Sequence, residues 1–289
     1  MKLCLSCNVK FKNNNWQCPE CGYNPVKVNG FTSFLSDQPS FRREYKVEHY
    51  SNLIDLEAKN FWFCARNALI VWAMNKYFSE AKNFFEVGCG TGFVLNGLHS
   101  AFPDLKLAGS EIFIEGLQFA SKRVAEAELM QIDSQELPFR DEFDVVGIFD
   151  VLEHIENDQP VLDELYKAIS PGGGIIITVP QHQFLWSYQD VAASHVRRYS
   201  SSELVKKVKK TGFEIIKMTS FVSLLLPVMM GMRYAVREPQ SCYDPQSELK
   251  INSMLNSLLK LAMDLEVGLI RAGVCFPLGG SLLLIAKKS

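Results

Sequence analysis

Phe84-Phe85-Glu86-Val87-Gly88-Cys89-Gly90-Thr91-Gly92 runs directly into Phe93-Val94-Leu95-Asn96-Gly97-Leu98. An apolar run meets three alternating glycines, and apolar residues then recur at helical spacing. The pattern predicts a strand, a tight turn and a helix N-terminus. Glycine lets a ligand approach the backbone there and takes positive φ at low cost. The helix start adds free N–H groups and the positive end of a dipole. The spacing is neither the Gly-x-x-x-x-Gly-Lys-Ser/Thr of a phosphate loop nor the Gly-x-Gly-x-x-Gly of a dinucleotide site. Alone it also suits an ordinary βα turn. Glu86 narrows the choice, because a carboxylate before the first glycine would repel phosphate. It suits a ligand with positive charge and hydroxyl or amine donors, such as S-adenosylmethionine, a sulfonium with an α-amino group.

Outward from this stretch, strands and helices alternate. Strands are expected at 84–88, 105–110, 128–132, 143–149, 175–179, 213–218 and 281–286, with helices at 93–101, 113–124, 159–169 and 201–211. Ser170-Pro171-Gly172-Gly173 reads as a helix stop. Such alternation implies an α/β fold, a doubly wound, mostly parallel, seven-stranded sheet covered on both faces. A strongly apolar helix over 61–78 precedes it. Its Arg66 reads as a solvent-facing cation, with a carboxylate partner as the other option. Residues 220–279 form a helical insert before the last strand: two helices around a polar connection, Arg237–Ser247. The second, Asn252–Arg271, carries Leu255, Leu258, Leu259, Ala262, Leu265 and Leu269 on one side. That side reads as core packing, or else as a lid over an apolar substrate or a membrane-facing surface.

The first 24 residues form a separate unit. Cys4-x-x-Cys7 and Cys18-x-x-Cys21 are two knuckles separated by ten residues. Each aims two thiolates at one point, and together they make the ligand set of a structural Zn²⁺. A segment this small has almost no core, so metal binding must supply its folding energy. Four thiolates leave no open position, so the metal is structural, and the segment looks like a zinc ribbon. A redox disulfide pair is the lesser alternative. Residues 25–45, with Pro25, Gly30, Pro39 and several serines, read as a linker, and 46–289 as the main domain.

A chain of 289 residues with 47% hydrophobic content can bury a sizeable core. A net charge of −2 gives no general argument for nucleic acid. The N-terminus lacks the apolar core of a signal peptide. The uncharged apolar runs 218–232 and 272–286 are 15 residues each, short of the roughly 20 needed to span a bilayer. The expectation is a cytoplasmic protein without a transmembrane segment, with peripheral membrane contact as an option. The scatter of Cys64, Cys89, Cys242 and Cys275 suits a reducing compartment.

In an open parallel sheet the ligand binds beyond the carboxyl ends of the strands. The glycine turn follows the first strand and Glu111 the second, where a carboxylate grips ribose hydroxyls. Asp133-Ser134 follows the third, Asp150-Val151-Leu152-Glu153-His154-Ile155 the fourth, and Val179-Pro180-Gln181-His182 the fifth. With Leu137-Pro138-Phe139, Phe143-Asp144-Val145-Val146 and Ser170-Pro171-Gly172-Gly173-Gly174, these motifs fall in order over roughly residues 60–220. The chain resembles class I S-adenosylmethionine-dependent methyltransferases, in the large group similar to ubiquinone-biosynthesis and small-molecule enzymes. The resemblance implies the Rossmann-like methyltransferase fold. It places Gly88, Cys89 and Gly90 along the methionine part, with Glu86 beneath. It gives Glu111 the ribose hydroxyls, where the family more often has Asp. Ile112 would pack on adenine, Asp133 would accept from its amine with Ser134 beside it, and Asp150 would flank the methyl-donor end.

Methyl transfer needs alignment and exclusion of water, plus a base if the acceptor is a hydroxyl. His195, in His195-Val196-Arg197-Arg198-Tyr199, is the first choice for base or substrate contact. His154 follows, with a structural role as its alternative, and His182 is a third candidate. Arg197 or Arg198 could hold an anionic acceptor or form a solvated pair. The expected acceptor is a small or lipid-like molecule methylated on oxygen or carbon. The alternative is an RNA methyltransferase whose ribbon grips nucleic acid through Lys2, Lys10, Lys12 and Lys27, with Phe11, Trp16 and Tyr23 stacking on bases. Against it, no Asn/Asp-Pro-Pro-Tyr loop follows the fourth strand.

Overall fold

The computed structural model describes residues 1–13, 15–35, 47–235 and 251–289. The N-terminal unit carries a short ladder, β1 (Lys2–Leu3) with β2 (Lys10–Phe11). A hairpin follows, β3 (Val26–Val28) and β4 (Phe31–Ser33). Helices α1 (Val47–Glu57) and α2 (Phe61–Tyr77) lead into β5 (Asn83–Val87), α3 (Phe93–Ala101), β6 (Lys106–Glu111), α4 (Ile114–Arg123) and β7 (Glu128–Gln131). Then come β8 (Phe143–Phe149), α5 (Asp158–Ala168), β9 (Ile169–Pro180), the short α6 (Tyr188–Ala192), α7 (Ser201–Thr211) and β10 (Phe213–Phe221). The chain closes with α8 (Leu226–Ala235), α9 (Ser253–Arg271) and β11 (Ser281–Lys288).

The main sheet runs β10-β11-β9-β8-β5-β6-β7-β4-β3 among the described residues. From β4 through β9 neighbouring strands are parallel. β11 is antiparallel to both β9 and β10. The seven expected strands are all present, and the α/β doubly wound architecture stands. Phe84 faces the core shared with α2, α3, α4 and α9, whereas Phe85 faces the core shared with α5 and α7. Residues alternate between the two faces of a strand, so a continuous apolar strand supplies both cores.

The linker expectation needs correction. Residues 25–45 do not begin as a linker, because 26–33 extend the sheet to nine strands, with β4 parallel to β7. Asn29-Gly30 makes the turn, both at positive φ (49° and 91°), between two runs rich in β-branched and aromatic residues. That is a strong short-range hairpin signal, masked in the sequence by Pro25 and Pro39, which make the whole stretch read as punctuation. Residues 36–45 of the expected linker lie outside the described residues. The helix stop at Ser170–Gly173 holds, because α5 ends at Ala168 just before it. It is absorbed into β9, which begins at Ile169 opposite Phe143 with a register shift behind it.

In the insert, Asn252 caps α9 by accepting from the Met254 N–H. The buried face is Met263, Glu266, Val267 and Ile270, packed toward α2. Leu255, Leu258 and Leu265, expected on the core side, are exposed. The polar connection Arg237–Ser247 lies outside the described residues. No helix among the described residues is long and apolar enough to cross a membrane.

Candidate active site

Strand order reverses between β5 and β8: β6 and β7 lie to one side, β8 and β9 to the other. A crevice opens beyond the carboxyl ends at such a point. The turn that follows β5 carries Gly88, Gly90 and Gly92, all at positive φ (71°, 51° and 75°). A Cβ on Gly88 would stand 2.5 Å from Val151 Cγ2, while the space at Gly90 is open. The Cys89 N–H donates to Ser110 O (2.8 Å), tying the turn to β6.

Glu86 lies at the base of this turn, only 3% exposed. Its Oε2 has no hydrogen-bond partner among the described residues. Burial pushes its carboxyl well above the ordinary range, against the pull of Arg66. A buried carboxylate without a partner is costly unless something cationic meets it. Glu111 closes the other wall. Its Oε2 accepts from the Gly90 N–H (3.1 Å), and its Oε1 accepts from the Ile112 and Phe113 N–H groups (2.8 and 3.2 Å). Burial raises its pKa, and those three N–H groups oppose the rise. Ile112 is half-buried, and its carbonyl accepts from Gln131 Nε2 (2.8 Å). Asp133 and Ser134 sit half-buried past β7, where Asp133 Oδ1 accepts from the Gln135 N–H (2.9 Å).

Asp150 takes a left-handed conformation (φ 55°) at the end of β8. Its Oδ2 accepts from Arg66 Nη1 (2.5 Å) and Thr178 Oγ1 (2.9 Å). The solvent-facing reading of Arg66 is therefore overturned. The residue is 8% exposed and also lies over the Trp62 ring, 4.7 Å from its centroid. Helix α1 closes over the turn from outside. Glu57 accepts from Thr91 Oγ1 (2.7 Å) and from Arg123 Nη1 (2.6 Å), and Tyr50 is buried beside Gly116.

On the other side of the crevice, His154 and His195 meet edge to face at 4.7 Å between ring centroids. His195 Nδ1 lies 2.9 Å from Asp190 Oδ1. Asp190 is fully buried and also accepts from Arg198 Nε (2.7 Å), Arg233 Nη1 (3.2 Å) and the Ser187 N–H (2.8 Å). Burial would raise its pKa, but His195 and Arg198 hold it well below the usual carboxylate range. His154 keeps part of its ring at the surface, yet surrounding protein and the His195 charge push it down to about 4. His182, at φ 64°, stacks on exposed Phe184. Arg197 pairs with Asp158 (3.4 Å) and Arg198 with Asp190, so neither is a solvated cation awaiting an anion.

At the N-terminus, Cys4, Cys7, Cys18 and Cys21 bring four sulfurs within 4.8 Å of one another. Cys4–Cys21 and Cys7–Cys18 stand 3.6 Å apart. That is too long for disulfides at ~2.05 Å and close to the ~3.8 Å between sulfurs on a tetrahedral centre with ~2.3 Å bonds. Phe11 is buried in the unit's own core. Trp16 packs edge-on against Phe34 and Phe139, with centroids 4.6 and 5.6 Å away. Neither offers a free face to a base.

The glycine turn, Glu86, Glu111 and Asp150 are thus brought together at one crevice, with His154 and His195 on its other side. The orphaned Glu86 oxygen, under a turn with open room at Gly90, fits a ligand carrying an ammonium group. Sequence reasoning missed the Arg66–Asp150 pair, the Glu57–Thr91–Arg123 link and Asp190. Each joins residues on different elements, except that Asp190 lies five residues before His195, a spacing that gave a weak local signal.

The model of the family described as methyltransferase domain matches residues 62–218. Among curated proteins, the mitochondrial ubiquinone biosynthesis O-methyltransferase of Dictyostelium discoideum is 23% identical over 205 residues, covering 63% of this chain and 61% of that one. The biotin biosynthesis bifunctional protein BioHC of Teredinibacter turnerae is 27% identical over 218 residues, covering 67% and 38%. Both matches span less than two thirds of the relative's own length. Among solved structures, Haemonchus contortus phosphoethanolamine N-methyltransferase 2 in complex with S-adenosyl-L-methionine superposes with a TM-score of 0.57 at 19% identity, covering 86% of this chain and 58% of that one.

Proposed function

The chain belongs to the methyltransferase domain family, and on that premise we propose that it is an S-adenosylmethionine-dependent methyltransferase whose acceptor is a small or lipid-like molecule methylated on oxygen or carbon. The observation that carries this reading is the character of the acceptor side. Phe184, Tyr188, Val191 and Val196 are exposed apolar side chains around His182 and His195. The arginines nearby, Arg197, Arg198 and Arg233, are all engaged by carboxylates. An apolar mouth with neutralised cations suits an uncharged or amphiphilic acceptor and not a phosphate backbone.

When bound, S-adenosylmethionine supplies a sulfonium methyl, whose bond to sulfur breaks with the electron pair kept by sulfur as an acceptor lone pair takes the carbon. Glu86 meets the amino group, Gly88, Cys89 and Gly90 pass their backbone along the methionine part, and Glu111 receives the ribose hydroxyls. Ile112 packs on adenine, while Asp133 and Ser134 meet its amine edge. Asp150, fixed by Arg66 and Thr178, flanks the methyl end. Asp190, against His195 Nδ1, orients the ring so that Nε2 is the nitrogen that would take the acceptor's proton. Cys4, Cys7, Cys18 and Cys21 hold a structural zinc ion. A cytoplasmic setting fits the free thiols, and the exposed leucines of α9 support peripheral contact with lipid.

The test is transfer of a tritiated methyl group to cell extract separated into lipid, small-molecule and RNA pools. Label is expected in one of the first two, and lost on His195→Asn. Label confined to RNA overturns the reading.

A further inference from the structure

The acceptor side holds a carboxylate for which the methyl-transfer reading has no use. Glu153 is 1% exposed, and neither carboxylate oxygen has a hydrogen-bond partner among the described residues. The arginines near it are already neutralised, Arg66 by Asp150 at 2.5 Å and Arg198 by Asp190 at 2.7 Å. What stands close to Glu153 is a pair of imidazoles. Ligand atoms of Glu153, His154 and His195 all lie within 4.8 Å of one another.

We infer that Glu153, His154 and His195 form a binding site for a divalent transition-metal ion at the acceptor side of the crevice. Two imidazoles and one carboxylate are a recurrent ligand set for first-row ions that keep positions open to a substrate. Bonds of ~2.1 Å to a common centre hold donors at most about 4.2 Å apart, so the observed spacing closes with a side-chain shift of under about 1 Å. The surroundings have the form of an outer shell. Asp190 engages His195 Nδ1 at 2.9 Å, which fixes the ring and frees Nε2 for a metal. Asp190 is itself held by Arg198, Arg233 and Ser187. His195 is anchored through its backbone N–H on Asp190 O (2.8 Å), and the next residue, Val196, donates its N–H to Glu153 O (2.8 Å). That bond draws the two distant segments of the site together. Both histidines reach the surface, so an ion has a way in. Imidazole ligation favours Fe²⁺ or Zn²⁺ over Mg²⁺ or Ca²⁺, and Mn²⁺ serves as the paramagnetic probe.

The inference rests on the proposed function and changes one role in it: with a cation bound, His195 Nε2 is a ligand and not a base, and the cation would seat and acidify the acceptor's hydroxyl beside the methyl donor. Its test does not depend on turnover. Full-length protein with its cysteine site loaded with zinc is titrated with Mn²⁺, and free Mn²⁺ is followed by electron paramagnetic resonance. One saturable site is expected, weakened at least 10-fold in Glu153→Gln and in His195→Asn. Calorimetric affinity for S-adenosylmethionine should stay within about 2-fold in both variants, which controls for folding. Asp190→Asn should weaken Mn²⁺ by ~10–100-fold through loss of ring orientation. Absence of saturable binding, or binding that survives both ligand substitutions, overturns the inference. Normal Mn²⁺ binding without methyl transfer to any small or lipid-like pool counts against the acceptor reading and leaves the metal site standing. Methyl transfer by protein that binds no Mn²⁺ does the reverse.

Discussion

Glu86 is where the residue-scale physics is sharpest, because folding and ligand binding ask opposite things of it. Its carboxyl is pushed well above the ordinary value by burial. A raised folded pKa means that the group's full contribution to stability is present below its unfolded pKa, ~4.3, and is lost as pH rises through the folded value. Glu86→Gln removes that loss. The ligand-free variant should therefore melt above the wild type at pH 8, with the gap closing toward pH 4, as read by thermal scans. The same change removes the anion that faces the ligand's ammonium. A hydrogen bond to a charged group is worth ~1.5–3 kcal/mol, so affinity for S-adenosylmethionine should fall ~10–100-fold by calorimetry. Wild-type affinity should in turn rise with pH as the carboxyl ionises. Unchanged binding by the variant would place the ammonium elsewhere. Gly88 gives a second check. Its φ of 71° costs a side chain ~1–2 kcal/mol, and its Cβ would overlap Val151. Gly88→Ala should lose about 2–4 kcal/mol in urea unfolding, and adding Val151→Ala should recover only the overlap. Both residues were legible in the sequence because their roles are local. Arg66 was not, since its partner Asp150 lies 84 positions away and nothing in an apolar helix marks which turn faces a distant strand end.

At the scale of elements, α9 shows why a helix can be foreseen and its orientation misread. Asn252 as cap and Arg271 in the last turn mark its ends. Its leucines, however, occupy more than one stripe, so periodicity alone cannot choose the buried one. The structure buries Met263, Val267 and Ile270 and leaves Leu255, Leu258, Leu261 and Leu265 outside. Glu266 explains the choice. It is fully buried and its Oε2 accepts from the Ser223 and Leu224 N–H groups (2.8 and 2.7 Å), which fixes the helix against the end of β10. No sequence pattern advertises a carboxylate that caps a distant loop. Met263→Ala should therefore cost about 2–5 kcal/mol, while Leu258→Gln and Leu261→Gln should each change stability by less than ~0.5 kcal/mol. Urea unfolding of the three variants decides it, and the reverse ranking would turn the helix over. The hairpin β3–β4 is the opposite lesson. Its Asn29-Gly30 turn was readable, but its partner β7 lies about a hundred residues on, so composition around it spoke for a linker.

For the whole molecule, the βα alternation sufficed to foresee the doubly wound sheet, yet it said nothing of how the cysteine unit joins it. The two are joined through the segment that follows β7. The Leu3 N–H donates to Pro138 O (2.9 Å), the Arg140 N–H to Met1 O (2.8 Å), and Lys2 forms a bridge with Phe139. Trp16 fills the space between Phe34 and Phe139. That segment begins at Asp133 and Ser134, the residues proposed to meet the adenine. Next to it, Ser33 Oγ donates to Gln131 Oε1 (2.8 Å), and Gln131 Nε2 donates to Ile112 O (2.8 Å). A unit with so small a core would hold its shape through a bound metal, so the proposed zinc should brace the cofactor site. Removing it with a chelator, or by Cys4→Ser, should lower the melting temperature of the whole chain in one transition and weaken S-adenosylmethionine several-fold. Trp16→Ala, in a half-buried site, should destabilise by about 2 kcal/mol, below the 3–5 of a fully buried aromatic, and weaken the cofactor in the same way with the metal still bound. Two separate transitions, with cofactor affinity untouched in both experiments, would mean that the cysteine unit rides on the domain without supporting it. A single shifted transition with weakened binding in both would make the unit part of the cofactor site's frame.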